Sequence, residues 1–274
     1  MSAASETERP GMSASAGPLR GVRALITGGG SGIGLAIAHR FAAMGMTLTL
    51  VGRDDERLHR AIGELPKPAR HRTFVCDVGD DAAVAAMFRD LADSQLSPQV
   101  LVNNAGSASS ASVADTSTDA WNETLRVNLS GVFHCARAAL PAFGAMPFAR
   151  IVNIASTAGL IGYANVAAYC AAKHGVIGLT RALALEVART AITVNAVCPG
   201  YTETPIVDAA IASIVESTGK SRADARQMLV RRNPQRRLVS PDEVAATVAW
   251  LCLPESKSIN GQAISLSGGE VMTG

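Results

Sequence analysis

The sequence predicts an α/β domain: a parallel β-sheet with helices packed on both faces. Three observations lead there. From Arg20 onward, short β-branched apolar runs alternate with longer stretches whose apolar residues recur at helical spacing. A glycine-rich turn joins the first run to the first helical stretch. Of the 274 residues, 48% are apolar but only 4% aromatic, so the core must be built mainly from Ala, Val, Leu and Ile. That composition suits buried parallel strands covered by alanine-rich helices, and the length fits one such domain.

The candidate strands, in order, are VRALIT (22–27), TLTLV (47–51), RTFVC (72–76), QVLVNN (99–104), RIVNIAS (150–156), ITVNAVC (192–198) and QAISL (262–266). Each is β-branched or continuously apolar, as a strand buried on both faces should be. Between them lie helical patterns such as SGIGLAIAHRFAAMG and AAYCAAKHGVIGLTRALALEVAR. Strand, helix, strand in repetition implies right-handed crossovers, which stack helices on both sides of the sheet. One stretch breaks the rhythm. Residues 201–238 separate the sixth and seventh strands, hold two helical patterns, and are the expected lid over a pocket. The first 19 residues, small and polar with Pro10, Gly11, Gly17 and Pro18, read as a disordered tail outside a domain of 20–274.

The net charge of +2 argues against a nucleic-acid partner. No run reaches the roughly 20 apolar residues that cross a bilayer. Cysteines at 76, 135, 170, 198 and 252 show neither CxxC pairing nor zinc spacing. Odd in number and set in apolar runs, they read as reduced thiols of a cytoplasmic protein. The five histidines are scattered and suggest no metal. One basic cluster, RRNPQRR (231–237), reads either as a solvated loop or as a landing site for a phosphorylated or acidic substrate handle.

The turn LITGGGSGIG is the first chemical signal. Gly28, Ser31, Gly32, Ile33 and Gly34 lie between a strand and a helix, where the glycines let a pyrophosphate approach the backbone. The N–H groups and dipole at the helix start attract the phosphates. A strand before and a helix after supply the context the motif requires. At the end of the second strand, where an acid usually reads the ribose, stand Gly52 and Arg53. A guanidinium there suits a 2′-phosphate, so NADP(H) is favoured. NAD(H) stays open because Asp54 could take the acid's place.

AYCAAKHG is the second signal. Tyr169 and Lys173 stand one helical turn apart. A cation close to a phenol favours ionisation, which would bring the Tyr169 hydroxyl toward proton transfer near neutrality. Ser156 ends a buried strand, at the sheet edge where ligands of such folds bind, and could hydrogen-bond a carbonyl oxygen beside the phenol; it could also be only a cap. Asn128 lies in the apolar pattern LRVNLSGVF. It is either a satisfied structural amide or the anchor of a water that relays protons from the lysine. Asn104, Ala105 and Gly106 close the fourth strand and either support the cofactor's adenosine side or brace the sheet edge. Together these residues describe metal-free carbonyl reduction. Nicotinamide carries the hydride, Tyr169 the proton, Ser156 positions the oxygen, and Lys173 also holds the nicotinamide ribose.

These motifs resemble those of the short-chain dehydrogenase/reductase family. TGGGSGIG (27–34) matches its TGxxxGxG, NNAG (103–106) recurs, its catalytic Asn, Ser, Tyr and Lys fall on Asn128, Ser156, Tyr169 and Lys173, and CPGYTETP (198–205) matches its proline-glycine turn. The resemblance runs from about residue 20 to the end. It implies a single Rossmann-type, doubly wound domain with a seven-stranded parallel sheet. It also implies that Asp77 and Val78 contact adenine, and that Pro199, Gly200 and Thr204 hold the nicotinamide carboxamide. Members are commonly homotetramers or homodimers. Within the family, IVNIASTAG, ITVNAVCPGYTETP and GQAISLSGGEVM resemble 3-oxoacyl carrier-protein reductases, 3-hydroxyacyl-CoA dehydrogenases and polyketide ketoreductases. Ser31 departs from the arginine that carrier-protein reductases often carry there, and so removes one contact expected for a 2′-phosphate.

The expected activity is therefore interconversion of a ketone and a secondary alcohol. The substrate is a small molecule, with an acyl-CoA or acyl-carrier-protein thioester held by the lid arginines as one form and a small hydroxy compound as the other. A non-catalytic dinucleotide sensor is the competing class, but it should have lost the proton-transfer residues. A nucleotide-sugar epimerase should be longer, and acyl transfer by Ser156 lacks a placed histidine.

Overall fold

The structure is a computed structural model, and it describes residues 19–272. Seven strands form one sheet: β1 (Arg23–Thr27), β2 (Thr47–Gly52), β3 (Arg72–Val75), β4 (Val100–Asn103), β5 (Ala149–Ile154), β6 (Ile192–Pro199) and β7 (Ala263–Leu266). Every pairing is parallel and the order is β3-β2-β1-β4-β5-β6-β7. All seven runs read from the sequence are strands, with ends moved by one or two residues.

Alternation within the strands divides the core. Ala24 and Ile26 of β1 face one side and Leu25 the other. On the first face lie α1 (Gly32–Ala43) and α9 (Pro241–Leu251), which pack Ile37, Ala38 and Phe41 with Val244, Ala245 and Val248. On the second face lie α3 (Asp81–Asp93), α5 (Gly131–Phe143) and α6 (Ala167–Glu186), supplying Val84, Met87, Leu91, Cys135, Ala139 and Leu183. Small residues at the helix–sheet contacts let the backbones approach closely, which explains how so few aromatics suffice.

Two sequence expectations change here. Residues 1–18 of the expected tail lie outside the described residues. Leu19, which was assigned to that tail, is only 2% exposed and joins the core beside Met46, so the domain begins one residue earlier. A lone leucine after polar sequence carries no periodic signal; only its burial places it. In addition, the helix around Asn128 is not regular. It runs as α4 (Thr118–Leu125), a π-helical turn (Arg126–Ser130) and then α5.

Residues 201–238 fold as α7 (Pro205–Thr218) and α8 (Arg222–Val230) around a small core of their own: Val207, Ile211, Ala225, Leu229, Val230 and Leu238. The segment's ends are clasped. Val239 N–H donates to Tyr201 O at 2.8 Å, and Glu203 N–H to Val239 O at 3.0 Å. Among the described residues no helix is long and apolar enough to cross a membrane.

Candidate active site

The strand order reverses direction between β1 and β4, so a crevice opens at their carboxyl ends. Both glycine-bearing turns lie there. Thr27, buried at the end of β1, fastens them together. Its Oγ1 accepts the N–H groups of Asn104 (2.9 Å) and Ala105 (3.0 Å). Asn104 Nδ2 donates to the carbonyls of Thr27 (3.0 Å) and Gly28 (3.1 Å). The Asn104 side chain therefore braces the sheet edge, the second of its two expected roles. Ala105 and Gly106 form the floor next to it.

The turn itself fits a dinucleotide pyrophosphate. Gly28 and Gly32 have φ of +64° and +53°, which L side chains rarely adopt. Ser31 is the N-cap of α1, yet its side chain does not cap, and the first turn holds no acidic residue. The helix start thus presents N–H donors and a positive dipole end with no protein group using them. At Gly34 a β-carbon would stand 2.2 Å from the Gly28 carbonyl oxygen and 2.6 Å from Asn104 Nδ2. Gly34→Ala should therefore lower Tm by several degrees and weaken dinucleotide binding more than about tenfold. Thermal melts and fluorescence titration check both. Ile33 is half-buried against the first core, and Thr204 leans over Gly32, with its Cγ2 3.2 Å from where a β-carbon would be.

At the end of β2, Arg53 is exposed and Asp54 is engaged. The Asp54 side chain accepts from Arg57 N–H at 3.0 Å and caps α2 (Asp55–Glu64). The other Asp54 oxygen lies 3.4 Å from Arg57 Nε. Arg57, missed from the sequence, lies against the glycine turn, its Cγ 3.1 Å from where a Gly30 β-carbon would stand. Its signal was available: it sits in the first turn of α2, four residues after Arg53. Beyond β3, Asp77 accepts from Arg126 Nη2 and Gly79 N–H, both at 2.9 Å. Burial works against ionisation of Asp77, but these donors prevail and hold its carboxyl below the usual value. Val78 is buried and packs against Gly131.

The catalytic candidates meet at the carboxyl ends of β5 and β6. Ser156 follows β5 and is half-buried, its Oγ accepting from Ala158 N–H at 3.1 Å. Tyr169 and Lys173 share one face of α6, with Lys173 Nζ 5.6 Å from the centre of the Tyr169 ring. Lys173 is 4% exposed and donates to the Ile154 carbonyl at 2.8 Å. Pro199 ends β6, and Gly200 N–H donates to Leu266 O at 2.9 Å, which fixes that turn against β7.

The electrostatics differ from the expectation. Burial pushes the Tyr169 phenol up to about 12, and the hydrogen bond from Ser156 offsets only part of it. Burial also pulls Lys173 down to about 8. Burial sets the direction of both shifts, and the ammonium is directed at a main-chain carbonyl.

Asn128 is fully buried and closed. Its Nδ2 donates to Ser107 O (2.9 Å) and Thr124 O (3.0 Å), and its Oδ1 accepts from Ser107 N–H at 3.3 Å. Both amide hydrogens are used and Oδ1 takes one of the two donors it can accept, so the side chain pins the π-turn to the loop after β4. The lid arginines are also spoken for in part. Arg237 forms a bidentate pair with Glu243 (2.6 and 2.7 Å), and Arg232 pairs with Glu270 at 3.3 Å. The expected four-arginine landing site reduces to Arg231 and Arg236, which have no carboxylate partner among the described residues.

A dinucleotide crevice beside a half-buried Ser156 and Tyr169 and a buried Lys173 defines a nicotinamide-dependent oxidoreductase. Residues 28–270 match a family model described as enoyl-(acyl carrier protein) reductase. The chain is 40% identical over 253 residues to "Granaticin polyketide synthase putative ketoacyl reductase 1" of Streptomyces violaceoruber, covering 90% of this chain and 92% of that one. It is 34% identical over 255 residues to the D-beta-hydroxybutyrate dehydrogenase of Cupriavidus necator, covering 92% and 99%. The crystal structure of a tryptophan-substituted actinorhodin polyketide ketoreductase with NADPH superposes with a TM-score of 0.86 at 37% identity, covering 93% and 98%. The chain belongs to the short-chain dehydrogenase/reductase family, and it is an NAD(P)-dependent enzyme that interconverts a ketone and a secondary alcohol.

Proposed function

We propose that the protein reduces a ketone with NADPH, Tyr169 delivering the proton. The observation that carries this is geometric: Tyr169 and Lys173 share one face of α6 at the carboxyl end of β5, with Lys173 Nζ 5.6 Å from the centre of the phenol ring, beside Ser156. Burial raises the phenol, so it holds the proton that reduction consumes. A bound nicotinamide supplies the hydride. Ser156 Oγ orients the carbonyl oxygen toward the phenol, and Lys173 would hold the nicotinamide ribose. Asn128 is a positioning residue that fixes the π-turn, whose opened main chain is a common feature of functional sites. Gly32, Ile33 and Gly34 would take the pyrophosphate, Asp77 and Val78 the adenine, and Pro199, Gly200 and Thr204 the carboxamide.

Arg53, exposed after β2, and Arg57, whose side chain lies against Gly30 with Nε 3.4 Å from Asp54 Oδ2, support the NADPH preference. Arg53→Ala and Arg57→Ala should each raise the KM for NADPH about tenfold and leave NADH nearly unchanged, given the usual worth of a charged hydrogen bond. Assays of each variant with both cofactors measure this; equal losses with NADPH and NADH would remove the 2′-phosphate assignment.

The relatives' reductase names and the guanidiniums of Arg231 and Arg236, which lack a carboxylate partner among the described residues, support a 3-oxoacyl or polyketide-like ketone on a thioester handle. A ketone panel with NADPH, free and as acyl thioesters, tests it. An unchanged KM for thioesters in an Arg231→Ala, Arg236→Ala double variant would remove the handle from the reading.

A further inference from the structure

Glu270, from the C-terminal segment, is placed against the active site with one oxygen unused. Its side chain is only 4% exposed. Oε1 accepts from the Tyr163 hydroxyl at 2.8 Å and lies 3.3 Å from Arg232 Nε. Among the described residues no donor reaches Oε2, which stands 3.8 Å from where a Gly200 β-carbon would be, at the turn that follows β6.

The surroundings form one wall of the crevice. The Tyr163 hydroxyl is 2.9 Å from Thr157 Oγ1, next in sequence to Ser156. The Tyr163 and Tyr201 rings meet edge to face at 6.4 Å, and the Arg232 guanidinium lies 4.8 Å above the Tyr163 ring. Oε2 is not sealed among the buried atoms that lack a partner, so a bound ligand can reach it, and its desolvation by a ligand without a donor would go uncompensated.

We propose that Glu270 determines substrate specificity: Oε2 accepts a hydrogen bond from a hydroxyl that the substrate carries away from the reacting carbonyl. The chemistry selects the donor. A substrate carboxylate would be repelled. An ammonium gains little, because Arg232 already neutralises the site. A neutral hydroxyl supplies the missing hydrogen and demands no further charge. This rests on the ketone-reductase reading and narrows it to hydroxylated or enolised ketones over plain alkyl ones.

The test uses hydroxycyclohexanone and methylcyclohexanone, equal in size and different in one donor, with NADPH. Wild type should favour the hydroxyl compound about tenfold or more in kcat/KM, since a site built around a polar group discriminates strongly against the analogue lacking its partner. Glu270→Met should bring the ratio near one. Glu270→Gln, a neutral acceptor of the same shape, should leave an intermediate ratio. Calorimetric binding of the two ketones to the enzyme with oxidised cofactor reads the same preference without turnover. A ratio that stays the same in Glu270→Met, by either measurement, overturns the proposal and leaves Glu270 a structural ion pair. Absence of turnover of every ketone by wild type sinks the reductase reading instead, while the binding ratio still decides the role of Glu270.

Discussion

Tyr169→Phe lowers kcat for ketone reduction by about a hundred- to ten-thousandfold, the usual contribution of a placed general acid, and changes NADPH affinity only a few-fold. The ring of the variant still fills the space beside Lys173, and only the proton is gone. Following reduced-nicotinamide absorbance gives kcat, and fluorescence titration gives the affinity. The raised phenol adds a direction-dependent signature. With its proton held to about 12, Tyr169 is ready to donate at every ordinary pH, so reduction should show no alkaline limb from this group. Alcohol oxidation needs the phenolate and should speed up as pH rises above neutrality. Flat oxidation rates across that range would show that another base takes the proton. Ser156→Ala should cost less than Tyr169→Phe, because Ser156 orients the oxygen while Tyr169 changes a bond to hydrogen.

The sheet was legible because its signals are local. A strand buried on both faces is apolar along its whole length, so runs such as ITVNAVC announce themselves without knowledge of their neighbours. The Tyr169–Lys173 pair was legible for the same reason, since four residues along a helix fix a shared face. What failed depended on contacts distant in sequence. Glu270 reaches Tyr163 across 107 positions, and Arg126 reaches Asp77 across 49. No spacing rule connects them. The basic cluster looked like one feature because its charges are consecutive, yet Arg232 and Arg237 find carboxylates on the C-terminal segment and α9. Ionisation was the least legible property. Proximity of a cation suggested a depressed phenol, but the sequence does not reveal how much water each group loses, and here that loss dominates.

Lys173→Met tests the same imbalance from the other side, and both of its effects should be large. Reduction should fall more than a hundredfold, since the variant has no ammonium to hold the nicotinamide ribose. Stability should respond in a pH window that the shift itself defines. An unfolded lysine ionises at 10.5 and the folded one at about 8. Below about 8 both states carry the proton and the folded protein bears the whole cost of a buried ammonium. Between about 8 and 10.5 the unfolded chain binds more protons, so wild-type stability rises with pH. The variant has no such group, and wild type should therefore gain on it across that interval. Paired thermal melts from pH 7 to 11 read the difference directly. The same titration predicts that wild-type kcat/KM for reduction declines as pH rises through about 8, while Lys173→Arg, which keeps its charge, loses that alkaline limb. A stability difference that ignores pH would mean the ammonium is hydrated in solution. Lys173 could then neither be depressed by burial nor owe its alkaline limb to it.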